Sequence, residues 1–186
     1  MASHVALLRG INLAGRNKVP MADLREVVAS LGHTGVTTYI QSGNVLFSTA
    51  DADTAKLASA LESAIADRFG IWSSVVVLSR DELARMLSGN PYADEPNPRL
   101  VHVVFLSAEP PRDLLDRIAA AQGAAAATGS PDSVTAVGRA LFLHTPGGYG
   151  TSELAKSLSS VKSPGLVVTA RNWATATKLL ALCDGK

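Results

Sequence analysis

Arg9, Arg16 and Lys18 fall within the eleven residues from Arg9 to Val19, with two carboxamides, Asn12 and Asn17, two glycines, Gly10 and Gly15, and no acid. Three cations on a chain with flexible points suit the holding of an anion, since amide and guanidinium donors can converge on one group of oxygens. A second polar group follows at Gln41-Ser42-Gly43-Asn44. A third is spread through the later half: His102, His144, Ser152, Arg171, Asn172 and Trp173, with the glycine-rich run Gly147 to Gly150 ahead of Ser152. The chemistry open to these residues is electrostatic: binding phosphate, or stabilising charge that develops on a phosphate-bearing substrate.

Ordinary catalytic patterns are poorly represented. The glycine spacing is neither a Walker nor a dinucleotide fingerprint. Ser42 and Ser152 lack a nucleophile-elbow context, and carboxylates are nearly absent around the candidate residues, which argues against two-carboxylate hydrolysis. The histidines show no tight metal spacing. His102 and His144 are the pair that neighbouring strands would have to turn toward each other, and the reading is that no metal is bound. No catalytic residue and no cofactor is assigned.

Positioning these residues falls to a regular series of elements. Val5 to Leu8 is apolar on both alternating faces and reads as a central strand. Pro20 pre-sets a helix with Met21, Leu24, Val27, Val28 and Leu31 on its stripe, stopped by Gly32. Strands are expected at Val36 to Gln41 and Asn44 to Ser48, joined by a two-residue Ser42-Gly43 turn. A helix capped at Asp53 or Thr54 and ended by Gly70 follows, then a strand from Trp72 to Leu78. Ser79 to Glu82 is a capping box opening a short helix. Asn90 to Arg99, with three prolines, reads as a linker.

From Leu100 the order recurs: a strand to Leu106, a helix after Pro110-Pro111 whose alanine-rich continuation passes into a loop, strands at 133–137 and 140–144, a helix near Thr151 to Val161, a strand at 166–170 and a terminal helix. The fold class is therefore α+β, two tandem ferredoxin-like βαββαβ sandwiches related by internal duplication. The division is 1–79, a connecting helix and linker at 80–99, and 100–186. Gly43, Leu46 and Phe47 recur as Gly138, Leu141 and Phe142. In such a sheet the third strand lies beside the first, so the Gln41 to Asn44 turn comes next to the Arg9 to Lys18 loop.

The totals narrow the partners. A formal net charge of +1 gives weak bulk attraction to nucleic acid or to an anionic membrane, so only local patches matter. The single cysteine, Cys183, rules out an internal disulfide and fits a reducing, cytoplasmic setting. No run of apolar residues is long enough to span a membrane.

The strings LLRGIN and NKVPMADLR (Leu7 to Arg25), TYIQSGNVLF (Thr38 to Phe47), NPY (Asn90 to Tyr92), VHVVFL (Val101 to Leu106) and TARNWATATKL (Thr169 to Leu179) resemble a widespread bacterial family known as domain of unknown function 1697. The resemblance runs nearly end to end and implies a duplicated ferredoxin-like pair. It implies no activity, cofactor or catalytic residue. One departure is Glu153, which follows Ser152 where the resemblance leads one to expect lysine. An acid in a first helical turn repels an anion, which weakens the second loop as a phosphate site.

The leading expectation is a binding module for an anionic ligand, such as a nucleotide, a phosphorylated metabolite or an RNA end. Its ligand residues are Arg9, Asn12, Arg16, Asn17, Lys18, Gln41, Ser42 and Asn44, with Ser152, Arg171, Asn172 and Trp173 in the second half. One alternative is an enzyme, a transferase on a phosphorylated substrate; another is a structural dimer whose polar loops are interface. RNA recognition through the sheet face is the least attractive mode, because the first strand carries no aromatic residue.

Overall fold

A computed structural model describes residues 1–13, 16–160 and 163–186. Gly15 and Val161, which figure in the loop and helix expected from the sequence, lie outside the described residues. Among those described there are two four-stranded antiparallel sheets and six helices.

The first sheet contains β1 (His4–Leu8), β2 (Thr34–Tyr39), β3 (Asn44–Ser48) and β4 (Val75–Ser79), with α1 (Met21–Ser30) after β1 and α2 (Thr54–Phe69) after β3. The strand order is β2-β3-β1-β4. Because side chains alternate along a strand, Ala6, Leu8, Val45, Phe47, Val75 and Val77 share one face. They form a core with Leu24 and Val28 of α1 and Leu57, Leu61 and Ile65 of α2. Val5, Leu7, Leu46, Val76 and Leu78 alternate to the opposite face and are buried too, the pattern β1 announces by being apolar throughout. Asp53 caps α2 by accepting from the Ala55 and Lys56 amides, and Gly70 ends it in the left-handed region.

The second sheet contains β5 (Val101–Leu106), β6 (Ser133–Val137), β7 (Ala140–His144) and β8 (Val168–Asn172) in the order β6-β7-β5-β8. Its helices are α4 (Arg112–Ala127) and α5 (Glu153–Ser160), and Val104, Leu106, Leu141 and Leu143 pack with Leu114, Ile118 and Ala155. α3 (Arg80–Ser88) follows β4, and α6 (Trp173–Cys183) follows β8.

Several boundaries differ from expectation for identifiable reasons. β2 ends at Tyr39, because Ile40 takes a left-handed φ of 51° and turns the chain early. β8 runs two residues later than the apolar run suggests, so Arg171 and Asn172 are strand residues. The alanine-rich segment stays helical to Ala127, as alanine's propensity favours. Gln122 then holds β6, donating to the Asp132 carbonyl at 3.2 Å and accepting from the Val134 amide at 2.7 Å.

The chain divides into two compact units, Met1–Arg85 with Thr177–Lys186, and Met86–Ala176. α3 and α6 each begin in one unit and end in the other. The last ten residues, assigned from sequence to 100–186, group with the first unit, where Arg80 donates to Asp184 through Nε at 2.9 Å and Nη2 at 3.2 Å. The segment 90–99 is tied into the second unit: Tyr92 Oη lies 2.9 Å from Thr135 Oγ1, and Glu95 Oε2 lies 2.7 Å from His144 Nε2. Among the described residues no helix is long and apolar enough to cross a membrane.

His4 and His33 flank the ring of Phe47, with centroids at 5.7 and 4.7 Å, and the buried His33 Nε2 has no hydrogen-bond partner among the described residues. Burial lowers the pKa of both, against Asp51, which raises both, and Glu82, which raises His4. A histidine held below its unfolded value contributes fully above about pH 6.5, and that contribution is lost as pH falls through this value toward the folded pKa. Urea midpoints are therefore expected to drop between pH 7.5 and pH 5.5, and His33→Phe to flatten the drop. A midpoint constant over that window would show that neither ring resists protonation.

Candidate functional site

The cationic loop and the hairpin turn do lie side by side. The β3 neighbour of β1 brings the turn to the end of β1, where the Leu8 amide donates to the Gly43 carbonyl at 2.8 Å. Gly43 has a φ of 77°, and a Cβ there would come within 2.7 Å of Leu8 Cβ and 2.8 Å of Ile11 Cδ1. A side chain is excluded by contact as well as by backbone. On the other flank β4 enters, with the Arg9 amide donating to the Ser74 carbonyl at 2.9 Å and Ser73 Oγ donating to the Arg9 carbonyl at 2.9 Å.

Asn12 joins loop to turn. Its Nδ2 donates to the Val19 carbonyl at 3.0 Å and the Gln41 carbonyl at 2.9 Å, and its Oδ1 accepts from the Val19 amide at 2.9 Å. Asn17 donates to the Gly10 carbonyl at 2.8 Å. Both asparagines have left-handed backbones, φ 52° and 49°, which asparagine tolerates better than most residues. Asn44 is fully buried and donates to the Tyr39 carbonyl and to Ser42 Oγ. These three amides serve as braces for loop and turn.

The cations are left outside this framework. Arg9, Arg16 and Lys18 are exposed, and none forms an ion pair among the described residues. Gln41 is exposed, and its side-chain amide makes no hydrogen bond among the described residues. α1 begins at this edge with Pro20 at its N-cap position and no side-chain cap. A feature the sequence reading passed over is Asp23 in its first turn, whose carboxylate is held by Arg68 at 3.1 Å. That pairing offsets the acid in the position where it would most oppose an anion.

The second group of polar residues does not form one site. Cross-strand partners share a face, so the pairs His102 with Leu143 and His102 with Asn172 put His102 and Asn172 on the helix-covered side. His144 and Arg171, opposite Val101 and Val103, lie on the other side. His102 packs on Tyr149 at 4.1 Å, while His144 stacks on Tyr92 at 5.3 Å and binds Glu95. The two histidines cannot share a metal, and no metal-holding cluster exists among the described residues.

The remaining members of that group have local tasks. Ser152 accepts from the Ala155 amide at 2.9 Å and caps α5. Asn172 accepts from the Thr175 amide at 2.8 Å and caps α6. Trp173 meets Phe142 edge-on at 6.4 Å. Arg171 donates to Thr169 Oγ1 at 2.9 Å and to the Ala170 carbonyl at 2.7 Å, and burial lowers its pKa to about 10.

A cleft of about 580 Å³ opens at the other edge of the first sheet, where β1 starts, lined in part by Ser3, His4, Arg80, Glu82, Arg85 and Cys183. Burial pushes the Cys183 thiol up to about 11, far from the thiolate that nucleophilic chemistry needs. The Arg80 guanidinium beside Asp184 holds that carboxyl below the usual range.

The profile of a protein family described as "Protein of unknown function (DUF1697)" matches residues 1–142, about three quarters of the chain. The chain belongs to this family. The DUF1697 match takes in both polar loops of the first unit and ends within β7, short of β8 and α6. Among solved structures, a conserved bacterial protein from Streptococcus pneumoniae is similar over 98% of both chains, with 26% identity and a TM-score of 0.72. At that coverage the similarity reaches beyond residue 142, into the last quarter of the chain. None of the curated proteins matches the chain.

Proposed function

We propose that the chain is two copies of a ferredoxin-like sandwich related by duplication, and that the first copy holds a phosphate-bearing ligand at the Arg9 to Lys18 loop and the Gln41 to Asn44 turn. The observation that carries the binding reading is the exposure of three cations without acidic partners among the described residues, beside a turn whose position Asn12 fixes from the loop at 2.9 Å. A protein that keeps such charges only for solubility has no need to brace the loop and the turn beside it with three asparagine side chains.

The duplication reading rests on alignment by register. Ala6 opposite Val45 and Val104 opposite Leu141 occupy equivalent helix-facing positions. This makes His4 the counterpart of His102 and Ser79 that of Asn172, and both of the latter cap the helix that follows. The Arg9 to Ser74 backbone bond likewise has its counterpart in Ser107 to Val167. The recurring Gly, Leu and Phe of the two hairpins are not counterparts, since Phe47 packs on the helix side with His4 and Phe142 lies opposite Val103 on the other. Where the first copy has Arg9, the second has Ser107, followed by Glu109. The reading therefore places the ligand in one copy only.

Titration with inorganic phosphate, followed by amide chemical shifts, is the test. Shifts are expected at Arg9, Arg16, Lys18 and Gln41, and Arg16→Glu with Lys18→Glu is expected to weaken binding about tenfold or more, equivalent to about 1.4 kcal/mol. Shifts confined to other surfaces, or none at millimolar phosphate, would remove the reading.

A further inference from the structure

The edge that carries the cations also carries the most exposed large apolar side chains of the first unit's described loops: Trp72 at 69%, Leu13 at 61% and Ile40 at 50%. Each stands on a different loop. Leu13 follows Asn12, Ile40 precedes Gln41, which Asn12 binds, and Trp72 precedes Ser73, which binds Arg9. The strand order β3-β1-β4 puts the Ile40 and Trp72 loops on either side of the Arg9 to Val19 loop, with two strand spacings, about 10 Å, between the strands they adjoin.

Ile40 is the most telling of the three. It is β-branched, its φ is 51°, and half of its surface faces solvent. Glycine or asparagine would hold that turn position with less strain, and a β-branched residue there is a backbone outlier. Burial does not repay it, because the side chain is exposed.

We infer that this edge binds a short single-stranded nucleic acid, with Trp72, Ile40 and Leu13 against base faces, Gln41 toward a base edge, and Arg9, Arg16 and Lys18 on phosphates. The inference rests on the phosphate reading above and deepens it. A nucleotide chain presents in one molecule the three chemistries the edge offers: a flat apolar face, a hydrogen-bonding edge and a repeated anion. An anionic lipid surface matches the cations and the apolar tips, but inserting Ile40 would also bury the exposed Gln41 side-chain amide, which has no partner among the described residues and would lose its hydration. The sheet faces take no part.

The test uses the full chain with eight-nucleotide oligo(dT) and oligo(rU), the two arms separating DNA from RNA, alongside inorganic phosphate and anionic vesicles of phosphatidylglycerol. Base stacking is expected to quench Trp72 fluorescence and shift its indole and the Gln41 side-chain amide, and Trp72→Ala to weaken oligonucleotide binding about tenfold while leaving phosphate shifts in place. With three phosphate contacts the logarithm of affinity is expected to fall against log salt with a slope of about −2, and Lys18→Gln to reduce that slope by about 0.7. Ile40→Asn should raise the urea midpoint yet weaken the oligonucleotide, a pair of opposite signs that a merely structural residue does not give. Phosphate shifts without any Trp72 quenching by either oligonucleotide would leave the anion site standing and overturn the nucleic-acid inference. A Trp72 blue shift on vesicles with no oligonucleotide response would overturn it in favour of a membrane surface. Loss of both phosphate and oligonucleotide responses would remove the two readings together.

Discussion

Replacing Gly43 with alanine is expected to destabilise the protein by about 3 kcal/mol, the sum of about 1 kcal/mol for a left-handed alanine and about 2 kcal/mol for overpacking. The overpacking has a specific source. The new methyl would sit 2.7 Å from Leu8 Cβ and 2.8 Å from Ile11 Cδ1, and both of those residues are buried in the core under α1 and α2. Neither can retreat without displacing that core. Gly70→Ala supplies the comparison, because its φ of 64° carries the same backbone penalty while its added Cβ would meet, among the described residues, no atom beyond its chain neighbours within 4 Å. It should cost about 1 kcal/mol. Urea unfolding of the two variants checks the difference, and equal costs would mean that the turn does not press on the end of β1. Phosphate binding should weaken in Gly43→Ala alone, since only that variant moves the turn relative to the cations.

Asn12→Ala should cost about 2.5–4 kcal/mol, from three side-chain hydrogen bonds at about 0.5–1 kcal/mol each and about 1 kcal/mol for the strain of alanine at a φ of 52°. Asn12→Gly separates the two contributions: it keeps the backbone freedom and removes only the brace, so it should recover about 1 kcal/mol of the loss. Both variants should loosen the Arg9 to Val19 segment, seen as faster amide exchange there, and both should weaken phosphate binding although Asn12 carries no charge. Normal exchange with weakened binding would instead make Asn12 a direct ligand. Unchanged binding in a loosened loop would show that the cations act without fixed geometry.

Much of this arrangement is legible in the residues. The unbroken apolar run of β1, the cap at Asp53, the stop at Gly70 and the capping box at Ser79 each state a local preference that the tertiary structure keeps. The closeness of loop and turn also follows from sequence, because the order of elements puts β3 beside β1. What could not be read is the division of labour inside the loops. Arginine and asparagine in one glycine-containing stretch look alike as ligands, yet Asn12 and Asn17 bind carbonyls of the fold while the cations stay exposed. The second polar group was misleading for a different reason. A strand's period of two means that moving β8 by two residues keeps its faces, but it brings Arg171 and Asn172 into the strand and separates them to opposite sides. Ile40 and Trp72 read as ordinary strand residues; their exposure arises from turns that start and end later or earlier than the apolar pattern does.

The path of α6 carries a consequence for how the molecule comes into being. Residues 177–186 complete a unit whose other members end at Arg85, and the Arg80 clamp on Asp184 spans 104 positions. During synthesis the amino-terminal unit must therefore wait, incomplete, until everything between has been made. A polypeptide cut at residue 85 would lack a structural part of its own unit rather than a neighbour.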